Sequence, residues 1–378
     1  MDNDYLHELI REVQSRQGGI VLNVQGRTEA VVLSIDRYNQ LVRKQVPEAP
    51  APPQARRIVL VTGGAGYIGA HVVRELLAAG HQPVVLDNLS TGKESNVPEG
   101  AVFIEGDVRD KQILEQIFEK YGVDAVFHLA ASIDVTESIE NPLDYLDNNT
   151  FATETLLRLM VEHGVGKIVF ASSAAVYGDP ASVPITENAV LKPINPYGYS
   201  KLLSEHILKY YADYAGLQAI VLRPFNVAGT DFDGQIRQAA GLVPVIMEVA
   251  AGKRPHLNIY GRDYNTFDGT CVRDYAHVLD VARAYVAVLD KMPQLAHFDV
   301  YNVGSGQGHS IQQIAQLAAE VTGHMVALET PPRRPGEIEC SIADNSKIRQ
   351  DLGFQFKYSD METILAMSWN AERTLAGN

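Results

Sequence analysis

The stretch 58–87 constrains the fold more than any other part of the 378-residue chain. A short apolar run, 58–61, reads as a buried strand, and it breaks at Thr62 into Gly63-Gly64-Ala65-Gly66-Tyr67-Ile68-Gly69. Helical spacing follows over 71–79 and stops at Gly80; a second apolar run, 83–86, delivers Asp87. Glycines alone mark ordinary turns. In the order strand, turn, helix, strand, acid they have a specific use. Gly63 and Gly66 let the backbone turn tightly and approach a pyrophosphate, and Gly69 lets the helix pack close to the strand. The helix N-terminus offers unpaired N–H groups and a partial positive charge. Asp87 can accept both hydroxyls of an adenosine ribose and would repel a 2′-phosphate, which predicts NAD rather than NADP.

Strand and helix patterns go on alternating: strand 102–104, helix 113–121, strand 125–129, helix 148–163, strand 167–171. Such alternation predicts an α/β fold built on a doubly wound, parallel Rossmann-type sheet, with ligands at the carboxyl ends of the strands. The residues just after strands become candidates: Asp87, Asp107, Ala130, Ser172 and Ser173.

Ser173 is followed by the segment Asn195-Pro196-Tyr197-Gly198-Tyr199-Ser200-Lys201. Pro196 suits a helix start, so Tyr197 and Lys201 share one face a turn apart. A free phenol, with a pKa of about 10, is a poor base at neutral pH. A nearby ammonium stabilises the phenolate, making a general base that can take a proton from an alcohol as its carbon is oxidised. Ser173 can hydrogen-bond the same hydroxyl. A tyrosine four residues before a lysine is common and mostly a matter of packing. Joined to the glycine turn and a post-strand serine it is specific. Tyr177 reads as a packing residue, and Tyr199 lacks a lysine at that spacing.

Composition narrows the class. With 46% hydrophobic and 21% charged residues, the chain fits a globular enzyme of about two domains. A net charge of −14 argues against broad binding to nucleic acid or anionic membrane. No apolar run reaches the length of a membrane span, and the polar start MDNDYLHELIREV is no signal peptide; a cytoplasmic protein is expected. Cys271 and Cys340 have no metal spacing and leave a reducing compartment or a single disulfide open. His128 and His277 show no metal pairing and read as structural, so no metal is expected.

Residues 1–45 form a small α+β appendage. Helical spacing covers 5–14, strands are expected over 20–24 and 30–35 around Gln25-Gly26-Arg27, and Asp36 could cap a helix over 37–44. The run GGIVLNVQGRTEAVVLSIDRYNQLV resembles antitoxins of the prevent-host-death type, proteins that dimerise and bind DNA. Here Arg11, Arg16, Arg27, Arg37, Arg43 and Lys44 are matched by Asp2, Asp4, Glu8, Glu12, Glu29 and Asp36, which leaves no basic footprint. Oligomerisation or docking is the preferred reading. A proline-rich linker, 46–56, separates the appendage from the body.

The body, from about residue 57 to 378, resembles the extended short-chain dehydrogenase/reductase family, and within it the UDP-hexose 4-epimerases. The resemblance is carried by TGGAGYIG, VVLDNLSTG, GDVRD, HLAAS, NPLDYLDNN, SSAAVYG, NPYGYSK, LRPFNVAG and DGTCVRDYAHVLD, in that order. It implies that Tyr67 and Ile68 place backbone on the pyrophosphate, Asp87 and Asn88 hold the ribose, and Asp107 and Val108 meet adenine. Leu129, Ala130, Ala131 and Asn148 would line the cofactor, and Phe225 would flank the nicotinamide. Ser173, Tyr197 and Lys201 would do the chemistry. Asn226 and Leu242 would touch substrate, Asn258 and Tyr260 would hold uracil, and Arg273 and Arg334 would meet the diphosphate beside Glu337. The implied reaction takes the proton from the sugar 4-hydroxyl, oxidises C4 to a ketone, turns the sugar over and reduces it from the other face. Tightly held NAD and a homodimer through helices like 148–163 and 200–211 are also implied. So are a Rossmann domain of 57–226 with 276–304 returning to it, and a smaller C-terminal substrate lobe made of 227–275 and 305–378.

Related 4,6-dehydratases carry acids just after the serine, and related decarboxylases use a glutamate at the second place. Here both places are alanine, Ala174 and Ala175, which disfavours both reactions. Ile133 stands where a lysine often lies, Gly241 where an asparagine usually does, and Ser341 at a gate that is bulky in enzymes restricted to plain hexoses. Two small residues predict a wide sugar pocket that also accepts N-acetylated UDP-hexoses. A binding protein that senses NAD or a nucleotide sugar through the appendage is the reading of another class; intact Ser173, Tyr197 and Lys201 argue against it.

Overall fold

Runs of apolar residues with no polar alternation, such as Ile58–Thr62, suit strands covered on both faces. In the computed structural model, which describes residues 20–24, 27–32, 56–238, 240–334 and 336–375, these runs form one seven-stranded parallel sheet. Its strands are β3 (Ile58–Thr62), β4 (Gln82–Asp87), β5 (Val102–Glu105), β6 (Ala125–His128), β7 (Lys167–Ala171), β8 (Gln218–Pro224) and β12 (Phe298–Val303). Their order is β12-β8-β7-β6-β3-β4-β5. The chain therefore winds one way from β3 to β5 and the other way from β6 to β12. The reversal, between β3 and β6, opens a crevice at the carboxyl ends of the strands.

Helices α1 (Tyr67–Ala78) and α6 (Val278–Lys291) cover one face, burying Val72, Val73, Leu76, Tyr285 and Val288 against Val59, Val61 and Phe127. On the other face α2 (Lys111–Tyr121), α3 (Ala152–Glu162) and α4 (Pro196–Tyr214) bury Leu114, Ile117, Leu156, Met160 and Leu208 against Leu60, Val126 and Ile168. At roughly 2 kcal/mol for each large apolar side chain taken from water, these two layers dominate the stability of the body.

A second, smaller set of elements follows β8. Strand β9 (Asn226–Ala228) pairs with β11 (Val272–His277), which also pairs with β13 (Gly308–Ser310) and β15 (Cys340–Ser341). A short parallel pair, β10 (Leu257–Asn258) with β14 (Leu328–Glu329), lies apart from it. Helices α5 (Leu242–Ala250), α7 (Ile311–Thr322) and α9 (Met361–Leu375) supply Ile246, Ile314 and Leu365 to a separate core. Helix α8 (Ser346–Leu352) instead adds Ile348 to the α1 face of the main sheet. Among the described residues no helix is long and apolar enough to cross a membrane.

The chain divides into the units Met1–Ala55 and Arg56–Asn378. In the first, β1 (Ile20–Val24) and β2 (Arg27–Val32) pair antiparallel, from Ile20 with Val32 to Val24 with Arg27. The second strand starts three residues before the expected 30–35. The polar Arg27 and Thr28 already pair, with Val24 and Asn23, and the register shifts between Leu22 and Asn23, so that Glu29 is passed over before Ala30 meets Leu22. The helices expected over 5–14 and 37–44 and the linker residues 46–55 lie outside the described residues.

Two boundaries in the body also differ from expectation. Helix α1 begins at Tyr67 rather than at 71, because Gly66 is its N-cap and Gly69 lies inside its first turn. The helix expected over 148–163 opens with a π-helical turn, Leu146–Phe151, before α3.

Candidate active site

The glycine turn is shaped by contact as much as by conformation. Gly63 has φ +72°, and a Cβ there would lie 2.7 Å from the Ala130 nitrogen at the tip of β6. A Cβ on Gly69 would lie 2.0 Å from the Gly63 carbonyl oxygen. Both glycines are needed so that turn, helix and neighbouring strand can touch. Helix α1 has no side-chain cap and no acid in its first turn, so its leading N–H groups and positive end face the crevice free for an anion. Asp87, at the end of β4, accepts from the Ala65 N–H at 2.9 Å and the Leu89 N–H at 2.8 Å, one on each carboxylate oxygen. A carboxylate has about four acceptor sites, so it retains capacity for two ribose hydroxyls. Uncapped helix, close-packed glycines and a post-strand acid fit a dinucleotide. Farther along the edge, Asn88 donates to Asp107 at 2.9 Å, and Arg109 grips the same carboxylate and holds it well below the usual range.

Leu129, Ala130 and Ala131 follow β6 directly. Behind them the buried His128 accepts from Thr62 Oγ1 at Nδ1 and donates to Thr153 Oγ1 from Nε2. That tautomer follows because the Thr153 hydroxyl is spent on the Asn149 carbonyl. Burial pushes the imidazole down to about 3, so it stays neutral. His128 thus rivets β3, β6 and α3, in keeping with its structural reading. His277 likewise turns inward, accepting from the Leu279 N–H. Among the described residues no cluster of His, Cys, Asp and Glu could hold a metal ion, and Cys271 and Cys340 are both free thiols.

The π-turn carries Asn148 and Asn149. Asn148 donates to Ser132 Oγ at 3.1 Å. Asn149 takes the Ser132 N–H at 2.8 Å, gives one N–H to the Ser132 carbonyl and another to Ser200 Oγ on α4. It therefore ties the loop after β6 to the helix that carries Tyr197 and Lys201. Sequence reasoning passed over Asn149; the doubled asparagine inside a helical pattern was the available signal. The wide turn also frees the Asn149 carbonyl, which accepts from the hydroxyls of Thr153 and Ser204.

Ser173 caps a short 3₁₀ turn after β7, its Oγ accepting from the Ala175 N–H. Tyr197 is the second residue of α4, whose N-cap Asn195 accepts from the Gly198 N–H. The Tyr197 ring meets the Tyr145 ring edge-on, centroids 6.4 Å apart. Burial pushes the Tyr197 phenol up, and the Ser173 side chain beside it pulls the other way. Lys201, 3% exposed, donates to the Ala171 carbonyl at 2.8 Å and lies over the Phe170 ring. Burial pushes its ammonium down to about 7. Ser173 is thus the side chain set against the phenol here, and the Lys201 ammonium reaches β7 from one turn below on the same helix. Tyr177 packs, as expected, its hydroxyl donating to Asn302, while Tyr199 is exposed.

On the smaller lobe, Asn226 donates to the Asp274 carbonyl from beside Phe225. Arg273 donates to the carbonyls of Ile338 and Val272 and lies 3.9 Å from Glu337. Arg334 stacks on Tyr260, its guanidinium carbon 3.5 Å from the ring centroid, and Arg334 and the Asn258 side chain hold the Tyr260 phenol below its ordinary value. Ser341 pairs with Arg273 along the β11–β15 ladder. Asp274, a charge in the middle of an apolar strand, accepts from Ser305, Gly306 and Ala343 and so draws two loops against Arg273. Leu242 opens α5 behind Gly241. Gly241 has φ +128°, so backbone geometry alone calls for glycine there, whatever the width of the pocket. Ile133 is exposed.

The family model for the NAD dependent epimerase/dehydratase family matches residues 59–304. The curated UDP-glucose 4-epimerase of Lacticaseibacillus casei is 45% identical over 317 residues, 82% of this chain and 96% of that protein. The crystal structure of UDP-glucose 4-epimerase from Brucella ovis in complex with NAD superimposes with a TM-score of 0.80 at 42% identity, covering 83% of this chain and 98% of that one. That of the Bifidobacterium longum enzyme with NAD+ and UDP gives 0.79 at 36% identity, covering 84% and 98%.

Proposed function

Because this chain belongs to the NAD dependent epimerase/dehydratase family, we infer that it is a UDP-hexose 4-epimerase, interconverting UDP-galactose and UDP-glucose with NAD as its cofactor. The observation that carries this is likeness at 40–45% identity, over nearly the whole of each relative, to UDP-glucose 4-epimerases.

NAD, when bound, supplies reversible oxidation of the sugar carbinol carbon. We assign its pyrophosphate to the free N–H groups of Tyr67 and Ile68 at the start of α1, with Gly63, Gly66 and Gly69 making room. Its ribose goes to Asp87 and Asn88, its adenine edge to Asp107 and Val108, and its nicotinamide half to the surface of Leu129, Ala130, Ala131, Asn148 and Phe225. On the substrate side, Asn226, Leu242, Asn258 and Tyr260 hold the UDP-sugar, with Arg273, Arg334 and Glu337 at the diphosphate. Tyr197 accepts the proton of the 4-hydroxyl as C4 is oxidised, keeps it while the sugar turns, and returns it when C4 is reduced from its other face. Ser173 holds the reacting oxygen in line, and the Lys201 ammonium, one turn below on the same face of α4, favours the phenolate form of Tyr197. Ala174 and Ala175 put no acid near C5 or C6, so the ketone is turned over rather than dehydrated.

The test is product analysis by NMR on purified protein with no NAD added. Conversion of UDP-galactose to UDP-glucose supports both the activity and a retained cofactor. No conversion after NAD is supplied sinks the reading.

Substrate breadth rests on Ser341 alone once Gly241 is explained by its backbone. Ser341→Tyr is expected to abolish conversion of UDP-N-acetylgalactosamine and leave that of UDP-galactose within about twofold; equal loss of both by the same assay would remove the gate from the account.

We further propose a homodimer through the α3 and α4 side, where Phe151, Leu203, Tyr210 and Tyr214 are exposed, and a cytoplasmic enzyme. Within the body we assign 57–226 with 276–304 to the cofactor layer and 227–275 with 305–378 to the substrate lobe, α8 of that last stretch packing on the main sheet. A chain starting at Arg56 is expected to keep kcat and KM within about twofold; activity lost with the fold intact by circular dichroism would give the appendage a part in catalysis.

A further inference from the structure

Beneath the candidate site lies a buried ion pair that the mechanism above does not use. Glu205 sits one helical turn after Lys201 on α4, and Lys201, Glu205 and Arg223 are each 3% exposed. Arg223, from β8, forks onto Glu205 with Nε 2.9 Å from Oε1 and Nη2 2.6 Å from Oε2. Its remaining nitrogen donates to the Tyr177 hydroxyl at 2.9 Å, and Tyr177 in turn donates to Asn302. Ser172, the residue before Ser173, donates its hydroxyl to Glu205 Oε1. One carboxylate thus touches the segment after β7 that carries Ser173, belongs to the helix that carries Lys201, and is clamped from β8.

Resting on the assignment of Lys201 to the active site, we propose that Glu205 is a positioning residue that keeps Lys201 in its ammonium form, and that Arg223 sets how much of the Glu205 charge reaches it. The groups around Lys201 support this. On its own helix Tyr197 and Glu205 flank it. From β6 comes His128, which is neutral, and from β7 the Phe170 ring. From β8 comes Arg223, on the far side of Glu205. Tyr145 meets the Tyr197 ring rather than the lysine, and Tyr285 of α6 packs on Phe127. Glu205 is therefore the anion beside the buried amine. Burial works against the ammonium and Glu205 works for it. An ammonium without a counter-charge in so dry a place would shed its proton.

The two partners of the pair then have opposite effects. Activity needs the ammonium and is lost as pH rises through its titration. Removing the Glu205 charge moves that loss to lower pH. Removing the Arg223 charge leaves Glu205 uncompensated and moves it to higher pH. The experiment is the pH dependence of kcat for UDP-galactose, on holoenzyme, for Glu205→Gln, Arg223→Gln and the double variant, whose buried charges leave together. The expected order of the alkaline limb, from high to low pH, is Arg223→Gln, parent, double variant, Glu205→Gln, with outer steps of about one pH unit. Both single variants shifting the same way, or neither shifting, overturns the proposal, since a purely structural role lowers activity without an opposed displacement. If Glu205→Gln does not fold, the double variant decides: a limb below the parent's supports the proposal, and one at or above it overturns it. A parent protein that epimerises nothing would instead remove the functional reading on which the test stands.

Discussion

Replacing Tyr197 by phenylalanine is expected to lower kcat for UDP-galactose by roughly a thousandfold while leaving KM within a few-fold. The ring stays half-buried against Tyr145, so the substitution removes one oxygen and little packing. What disappears is the proton acceptor. Ser173 cannot replace it, because its Oγ is engaged with the Ala175 N–H and has no base behind it. Lys201 cannot either, because its ammonium is pinned to the Ala171 carbonyl on the β7 side. Interconversion followed by NMR, with bound nicotinamide measured by absorbance, checks the result. A variant that retains cofactor and turns over within tenfold of the parent would move the base to another residue.

The second large effect belongs to Gly69. An alanine there puts its Cβ 2.0 Å from the Gly63 oxygen and 2.8 Å from the Gly64 Cα, both backbone atoms that no rotamer can move aside. Gly69→Ala is expected to lose roughly 3 kcal/mol of stability and most of the retained cofactor. Gly66→Ala is the control. Its φ of −75° suits any residue, and a Cβ meets only the Gly63 oxygen, at 3.3 Å. It should unfold within about 1 kcal/mol of the parent and lose cofactor only. Urea midpoints and the nicotinamide content of the purified proteins separate the two. Equal stability of both variants would mean that the turn relaxes, and that the close helix–strand packing is not what this glycine serves.

Those two variants rest on residues that were legible before any coordinates. The apolar runs that became β3, β4, β6 and β7 were readable because strands buried on both faces carry no alternation to misread. The post-strand residues fell at the carboxyl edge because parallel topology leaves no other place for them. Less legible were features set by contact across the fold. Helix α1 begins at Tyr67, but the glycines on either side of it have the composition of a turn. Glu205 and Arg223 are 18 positions apart and carry no motif; only the pairing of β7 with β8 and the packing of α4 on β8 bring them together. Asp274 reads as a charge inside a strand until two loops are seen to donate to it. Gly241 belongs with these: a small residue looks like open space in a sequence, and the backbone angle it also answers shows only in the fold.

The π-helical turn Leu146–Phe151 has a consequence for how this segment can change over time. Relative to an ordinary helix it holds one surplus residue, and each residue turns the helix by about 100°. Because the wide turn absorbs that residue, Leu156, Leu157 and Met160 beyond it keep facing the sheet. Loss of one position there would restore regular winding and leave those three in place, but it would remove the offset that lets Asn149 reach Ser132 and Ser200 with its side chain and receive the hydroxyls of Thr153 and Ser204 at its carbonyl. A relative one residue shorter in this segment should therefore keep its core and lose the tie between the loop after β6 and α4.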